Sequence, residues 1–221
     1  MIIYIISTFI TPAAANVFLE EHGGLLGDSR FHFVFSVSSD EGLDQHADYW
    51  AAVENLDFVV KRDSSYAEGW NNALSAFRML NVADCDRCVF LGEGDKLEAI
   101  VNFGEMAEVN RKSIIVSPLI RSGAIAHWTP RLRFFFATIG VWTPACLFPV
   151  RLFDNYSFPT AYRIASDVDV FLYAKLCKYS FEKRTSLIFS MDDAGMSSNR
   201  RRSIIEYKKV YEGRFGRSYL A

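Results

Sequence analysis

Met1-Ile2-Ile3-Tyr4-Ile5-Ile6-Ser7-Thr8-Phe9-Ile10-Thr11-Pro12 opens the chain, and it reads as a buried strand that turns into a helix. β-Branched residues dominate Ile2 to Ile6, and such side chains pack well on a pleated surface. The run does not alternate apolar with polar, which is the pattern of a strand covered on both faces. Pro12 at a first helical turn lacks an N–H that the helix would leave unsatisfied anyway. It opens a helix toward His22, stopped by Gly23-Gly24. The small-residue run Ala13-Ala14-Ala15 imitates a secretory cleavage site. No positive residue precedes the apolar stretch, so a strand explains it better than a signal peptide.

The same alternation continues outward. Phe31 to Val37, Asp57 to Lys61, Arg87 to Leu91 and Ser113 to Ser117 read as strands. Helical patterns fill Tyr66 to Leu80, with Trp70, Ala73, Leu74, Phe77 and Leu80 on one face, and Asp95 to Asn110. The second half is less regular. It offers a strand over Ala145 to Phe148 and a helix over Asp167 to Lys178 with Val168, Phe171, Leu172 and Leu176 inward. A strand over Thr185 to Ser190 and a terminal helix over Arg201 to Phe215 follow. This order predicts an α/β sheet with helices on both faces, which binds ligands at the carboxyl ends of its strands.

The 221 residues are half hydrophobic and 15% aromatic, enough for one sizeable core. A net charge of -2 gives no electrostatic case for a nucleic-acid partner. The charge is uneven: Arg200, Arg201, Arg202, Lys208, Lys209, Arg214 and Arg217 make the end of the chain basic. That end reads either as a solvated helix face or as a surface drawn to anionic lipid. Cys85 and Cys88 form a C-x-x-C, but Cys146 and Cys177 stand alone and no histidine lies close by, so a zinc set is incomplete. The uncharged run Phe134 to Val150 falls short of a spanning helix and contains Gly140, Pro144 and Pro149. It reads as buried irregular structure and a strand.

Three segments carry candidate chemistry. In Phe90-Leu91-Gly92-Glu93-Gly94-Asp95, two carboxylates at a strand end suit Mg²⁺ or Mn²⁺, hard cations that prefer oxygen. Asp95 with Glu98 also makes a capping-box pattern, and both readings stay open. In Tyr162-Arg163-Ile164-Ala165-Ser166-Asp167-Val168-Asp169, Asp167 at a helix start is placed for a general base. Ser166 as N-cap, with Asp167 and Asp169 favoured by the helix dipole, is the competing explanation. In Asp63 to Leu74, Asn71 has poor helix propensity and is free to bond a loop or a ligand.

In this order and spacing, these segments resemble the family 2 glycosyltransferases of GT-A fold, and the small bacterial surface-polysaccharide members in particular. The family's strand-end turn P-T-Y-N corresponds to Ser7-Thr8-Phe9-Ile10. Its E-P-D-x-G-x-Y-D-A-x-N segment corresponds to Lys61 to Asn71, its F-L-x-x-D-D to Phe90-Leu91-Gly92-Glu93-Gly94-Asp95, and its Y-R-I-A-x-D-x-D-L-F-L to Tyr162 to Leu172. A G-G-x-S-like loop corresponds to Ala194-Gly195-Met196-Ser197. The block from Tyr162 to Leu172 is the most specific.

The resemblance implies a GT-A-like open mixed β-sheet flanked by helices on both faces. It divides the chain into a nucleotide-sugar-binding half (1–117), an acceptor and catalytic half (118–199) and a basic C-terminal helix (200–221). It implies an inverting transfer with Asp167 as general base and Asp95, assisted by Glu93, as ligand of a divalent metal (Mn²⁺ or Mg²⁺). Thr8, Phe9 and Asp63 become nucleotide contacts, with Asn71 supporting their loop. The partners are a UDP- or GDP-linked sugar and a glycan or lipid-linked acceptor. The location is the cytoplasm, with peripheral contact at the inner membrane face.

The chain departs from the family pattern in four places. Ser36 replaces the acidic residue at the end of the second strand, with Asp40 close by as its substitute. Gly94 replaces the first metal aspartate. Ile10 stands for the asparagine of the opening turn, and Thr143-Pro144-Ala145 for His-Pro-Ala. These departures keep a second reading, a non-catalytic GT-A domain that binds a nucleotide sugar or a partner transferase. A nucleotidyltransferase is disfavoured, because Thr8 to Ala15 contains no glycine, lysine or arginine.

Overall fold

The structure, a computed structural model, describes residues 1–126, 142–162, 165–191 and 200–215, with the side chains of 200–203 outside that set. β1 (Ile3–Phe9) is buried along its whole length. Its side chains alternate between two apolar layers, as a strand's must. Tyr4 and Ile6 enter one core, and Ile3, Ile5 and Phe9 enter the other. α1 (Pro12–Glu21) follows, with Thr11 accepting from the Ala14 amide at 3.3 Å and Pro12 in the first turn. β2 (Phe31–Val37) pairs parallel with β1, Ile3 opposite Phe31. A short α2 (Ala47–Ala51) and β3 (Leu56–Val60) complete this flank.

α3 (Tyr66–Phe77) is capped by a reciprocal box. Ser65 Oγ accepts from Glu68 N at 3.3 Å, and Glu68 Oε2 accepts from Ser64 N at 2.9 Å. β4 (Arg87–Leu91) lies parallel to β1 on its other side. The Arg87 side chain is buried and donates to the carbonyls of Ser113 at 2.8 Å and Asn110 at 3.0 Å, tying the start of β4 to the approach to the sixth strand.

Where the sequence pattern reads as a helix over Asp95 to Asn110, the chain instead makes β5 (Lys96–Ile100) and a single turn, α4 (Gly104–Ala107). Gly94 at φ 86° turns the backbone sharply, a conformation glycine adopts without strain. Tertiary pairing then decides the outcome. β6 (Ser113–Val116), β7 (Leu119–Arg121), β8 (Ala124–Ala126), β9 (Cys146–Pro149), α5 (Ser166–Leu176), β10 (Ser180–Lys183), β11 (Leu187–Ser190) and α6 (Arg200–Phe215) follow. β5 runs antiparallel to β11 in a four-stranded sheet of order β5-β11-β7-β8. β7, β8 and β10 are short and carry little pattern in the sequence.

The main sheet has the order β10-β6-β9-β4-β1-β2-β3. β3, β2, β1 and β4 are mutually parallel, β9 is antiparallel to both β4 and β6, and β10 is parallel to β6. It is an open mixed α/β sheet. α3, α5 and α6 supply side chains to the core on one face and α1 to the core on the other. In α5, Val168, Phe171 and Leu172 point inward as expected, but Leu176 is half exposed. Of the run Phe134 to Val150, residues 142–150 are described and end in the buried β9; residues 134–141 lie outside the described set.

α3 packs tightly on β1 at one point. A Cβ added to Gly69 would lie 2.0 Å from Thr8 Oγ1 and 3.1 Å from Asp63 Oδ2. Helix propensity alone favours alanine there by about 1 kcal/mol. The steric conflict outweighs it, so Gly69→Ala is expected to lower stability by about 1–3 kcal/mol in urea denaturation. A stabilised variant would show that the helix is not held against Thr8.

Candidate functional site

β1, β2, β3 and β4 all point their carboxyl ends to one edge of the main sheet, and the segments that leave them build the site. A cavity of about 330 Å³ opens there. Its walls are Thr8, Phe9 and Ile10 from the end of β1, Ser38 from the end of β2, Asp63 to Tyr66 from the entry to α3, and Glu93 from the turn after β4. That volume falls in the range of small-ligand sites.

Thr8 and Phe9 are nearly buried, while Ile10 is exposed at the cavity mouth. Ser38 fastens the loop opposite. Its hydroxyl accepts from Asp63 N at 3.1 Å and donates to Asp63 O at 3.4 Å. The Asp63 side chain is left with a buried Oδ2 that has no partner among the described residues. Burial, and then the nearby Glu68 charge, push its carboxyl above the usual range, with the Ser38 hydrogen bond opposing them. An unpartnered carboxylate oxygen on a cavity-lining residue is an acceptor open to a ligand N–H or O–H.

The turn after β4 is closed on itself. Asp95 N donates to Gly92 O at 3.1 Å, and Gly92 N donates to Asp95 Oδ2 at 2.7 Å. Asp95 is nearly buried and starts no helix, so the capping-box reading with Glu98 is overturned: Glu98 lies in β5 and accepts from Ser190. Tyr66 feels both carboxylates. Burial first, then the charges of Glu93 and Asp95, raise its hydroxyl pKa, which places the acidic turn beside the cavity. No cation lines the cavity among the described residues, and no cluster of three or more His, Cys, Asp or Glu is assembled among them to hold a metal. Glu93 and Asp95 supply hard oxygen donors that fit Mn²⁺ or Mg²⁺, but only as two ligands of a set that a diphosphate and water would complete.

Asp167 reaches the same edge from the other half of the chain. β9 runs antiparallel to β4, so the turn Thr143–Ala145 that precedes it lies at the carboxyl end of β4. Thr143 Oγ1 donates to Asp167 Oδ2 at 3.3 Å. The other oxygen, Oδ1, is buried without a partner among the described residues. Desolvation dominates and pushes this carboxyl up to about 6, against the lowering effect of Thr143 and of the Val168 and Asp167 amides. Ser166 is not the N-cap: that position is Ala165, and no side chain of its own caps the helix. Asp169 faces away, buried, and accepts from Tyr156 Oη at 3.0 Å and from Arg214.

Two further candidate residues stand outside the cavity lining. Asn71 spends both polar atoms on Phe158, donating to its carbonyl and accepting from its amide at 2.8 Å each. It clamps a loop and does not line the cavity. Asp40 is exposed beyond the cavity wall. Ser36, inside the sheet, is fully buried. Ser38 is the β2-end residue that lines the cavity, with Tyr66 beside it, and the sequence motifs single out neither. The small polar residue just past the end of the apolar β2 run is the available signal. The C-x-x-C is not reactive chemistry on its inner side: Cys88 is buried and desolvation pushes its thiol up. The loop at Ala194-Gly195-Met196-Ser197, Arg163 and Ile164 lie outside the described residues.

No family model matches this sequence, and no curated protein matches it. Solved structures do match its fold. The mannosyltransferase PcManGT from Pyrobaculum calidifontis, in complex with GDP-Man and Mn²⁺, superposes with a TM-score of 0.60 at 13% identity, over 90% of this chain and 60% of that one. S. aureus TarS gives 0.58 at 12% identity over 99% of this chain. TarS 1-349 in complex with UDP gives 0.53 at 11% over 99%. The chain spans 60% and 45% of the first two neighbours. The likeness shows the fold: an α/β sheet of the GT-A-like kind found in glycosyltransferases.

Asp167 gives a direct test of the site's electrostatics. A carboxyl at 3.8 when unfolded and about 6 when folded binds its proton more tightly in the fold. Its contribution is therefore full below pH 4 and is lost as pH rises through 6. Asp167→Asn removes that loss. It is expected to raise the melting temperature at pH 8, with a gain of at most about 3 kcal/mol, and to give no gain near pH 4. A gain independent of pH would mean the carboxyl is not desolvated.

Proposed function

We propose that this protein is an inverting glycosyltransferase that moves a sugar from a nucleotide-sugar donor to a glycan or lipid-linked acceptor in surface polysaccharide synthesis. The observation that carries the reading is a juxtaposition: cavity, acidic turn and Asp167 meet on one sheet edge of a fold shared with glycosyltransferases. In this reading the first half of the chain holds the donor and the second half the acceptor. Thr8 and Phe9 form the cavity floor under the nucleoside. The free Asp63 oxygen accepts a ring N–H of the base; uracil and guanine both carry one, which suits a UDP or GDP donor.

A diphosphate against Glu93 and Asp95 would be repelled unless a cation stood between them. A divalent metal held by these two residues would neutralise the leaving diphosphate when bound. The chain's own chemistry then rests on Asp167. A base with its pKa near 6 is largely ionised at neutral pH yet basic enough to accept a proton. Its Oδ1 takes the acceptor hydroxyl's proton as that oxygen attacks the anomeric carbon opposite the diphosphate.

The competing reading, a non-catalytic domain that binds a nucleotide sugar, draws on one observation: Asp95 already uses Oδ2 to brace its own turn. Peripheral contact with an anionic cytoplasmic membrane face is a further part of the proposal. Ile204 and Ile205 are half exposed beside Lys208 on α6. Arg214 is excluded from that surface, because it is ion-paired with Asp169.

Two measurements test this. In a thermal-shift screen, a UDP- or GDP-sugar should stabilise the protein only with Mn²⁺, by about 2.7 kcal/mol at a hundredfold excess over its dissociation constant, and Asp95→Asn should abolish the effect. With the donor found, Asp167→Asn should bind it normally while transfer falls about 10²- to 10⁴-fold. Wild-type transfer should rise with pH through about 6. Donor binding without transfer by the wild-type protein toward any acceptor would favour the binding domain.

A further inference from the structure

Contacts from the C-terminal helix converge on the segment that carries Asp167. Tyr162 Oη donates to Lys209 O at 3.4 Å. Ala165 N, at the start of α5, donates to Glu206 Oε2 at 3.1 Å. Asp169 receives a fork from Arg214, Nε to Oδ1 at 2.6 Å and Nη2 to Oδ2 at 2.5 Å. The Arg214 guanidinium also lies 5.4 Å from the Tyr173 ring centroid.

These contacts bracket Asp167 two residues to either side. α5 has no side-chain cap of its own, since Ala165 occupies the N-cap position. Glu206 supplies from another helix the acceptor oxygen that an Asp or Ser cap would supply locally, as a carboxylate at the end of the helix where negative charge is favoured. Asp167 cannot set its own direction. Its only side-chain partner among the described residues is Thr143, which donates to Oδ2, and beyond that it has the pull of the Val168 and Asp167 amides of the same helix start. Its aim must come from the backbone that carries it.

We propose that Glu206 and Arg214 are positioning residues, through which α6 holds the first turn of α5 in the register that keeps Asp167 against Thr143 and able to accept a proton. The proposal rests on the reading of Asp167 as the general base. α6 has an independent reason to stay docked, because Val210 and Tyr211 are buried in the core. Removing Arg214 therefore leaves the helix in place but frees α5 to shift, and a misplacement of about 1 Å can cost about a hundredfold in rate. The titratable groups near Asp167 are Cys146 on β9, raised by burial and then by its charge, and Tyr156, raised mainly by burial and Asp169.

The test uses the full chain with Arg214→Met, Arg214→Lys, Glu206→Ala and Glu206→Gln. Arg214→Met and Glu206→Ala are expected to lower kcat about 10- to 100-fold with donor KM within about twofold of wild type. Glu206→Gln, which keeps an acceptor oxygen for the Ala165 amide, should stay near wild type. Arg214→Lys keeps the charge without the fork and should fall between; it also serves if Arg214→Met does not fold. A second reading needs no substrate: carboxyl ¹³C NMR of Asp167 should show its titration midpoint move from near 6 toward the ordinary aspartate value in the two damaging variants.

Wild-type kcat and an unmoved titration, with only the melting temperature lowered, would overturn the proposal. Asp167→Asn is run in parallel. If it transfers sugar at the wild-type rate, the base assignment fails. If it is inactive while Arg214→Met and Glu206→Ala are normal, only the positioning role fails. If no transfer is detected at all, the NMR titration decides.

Discussion

The approach of α3 to β1 is the constraint on which the rest of the site depends. Gly69 stands where any side chain would collide with Thr8, so the first turn of α3 lies directly on the carboxyl end of β1. That closeness brings Asp63 to Tyr66 across from Thr8 and Phe9 and makes a cavity from what would otherwise be two separate loops. The helix start is then held by its own box of Ser64, Ser65 and Glu68, and from the side by Ser38. A glycine weakens a helix interior, so its place here is explained by geometry and not by propensity.

Two carboxylate oxygens at this edge, Asp63 Oδ2 and Asp167 Oδ1, are buried with no partner among the described residues. Other buried carboxylates are paired. Asp86 takes the Ile2 and Ala83 amides, and Asp169 takes Arg214 and Tyr156. Leaving buried oxygens unpaired costs stability, and both groups respond by holding their protons more tightly. Such costs gather where a ligand or a reacting proton is to be met. The two oxygens come from opposite halves of the chain and reach the same edge of the sheet, which is the physical basis for the proposed division into a donor-binding and a catalytic half.

The sequence made β1, β2 and β4 legible because both faces of these strands are covered, so their apolar runs are unbroken. α3 and α5 were legible from helical spacing. β5 was not. Asp95, Glu98 and the following apolar residues imitate a helix start, and only pairing with β11, ninety residues away in the chain, makes Lys96–Ile100 a strand. The exposed Leu176 was misplaced because α5 ends there and the chain turns away. Within the site, Thr8, Phe9, Asp63 and Glu93 line the cavity, and Asp95 and Asp167 lie on the same edge of the sheet. Asn71 and Asp40 do not line it. Asn71 is bound to Phe158, a partner far off in sequence that no local pattern announces. Arg214 reads as a surface charge in a basic tail, and its ion pair with the buried Asp169 is likewise a long-range fact.

The central claim is that a nucleotide sugar sits in the cavity between β1 and α3, with its diphosphate toward the acidic turn. Backbone amide chemical shifts during titration with a donor that stabilises the protein, in the presence of Mg²⁺, test it most directly. The account predicts the largest changes at Phe9, Ile10, Ser38, Asp63 to Tyr66 and Glu93, with little change at Asn71 or in the β7–β8 hairpin. Changes concentrated elsewhere while these amides stay still would contradict it.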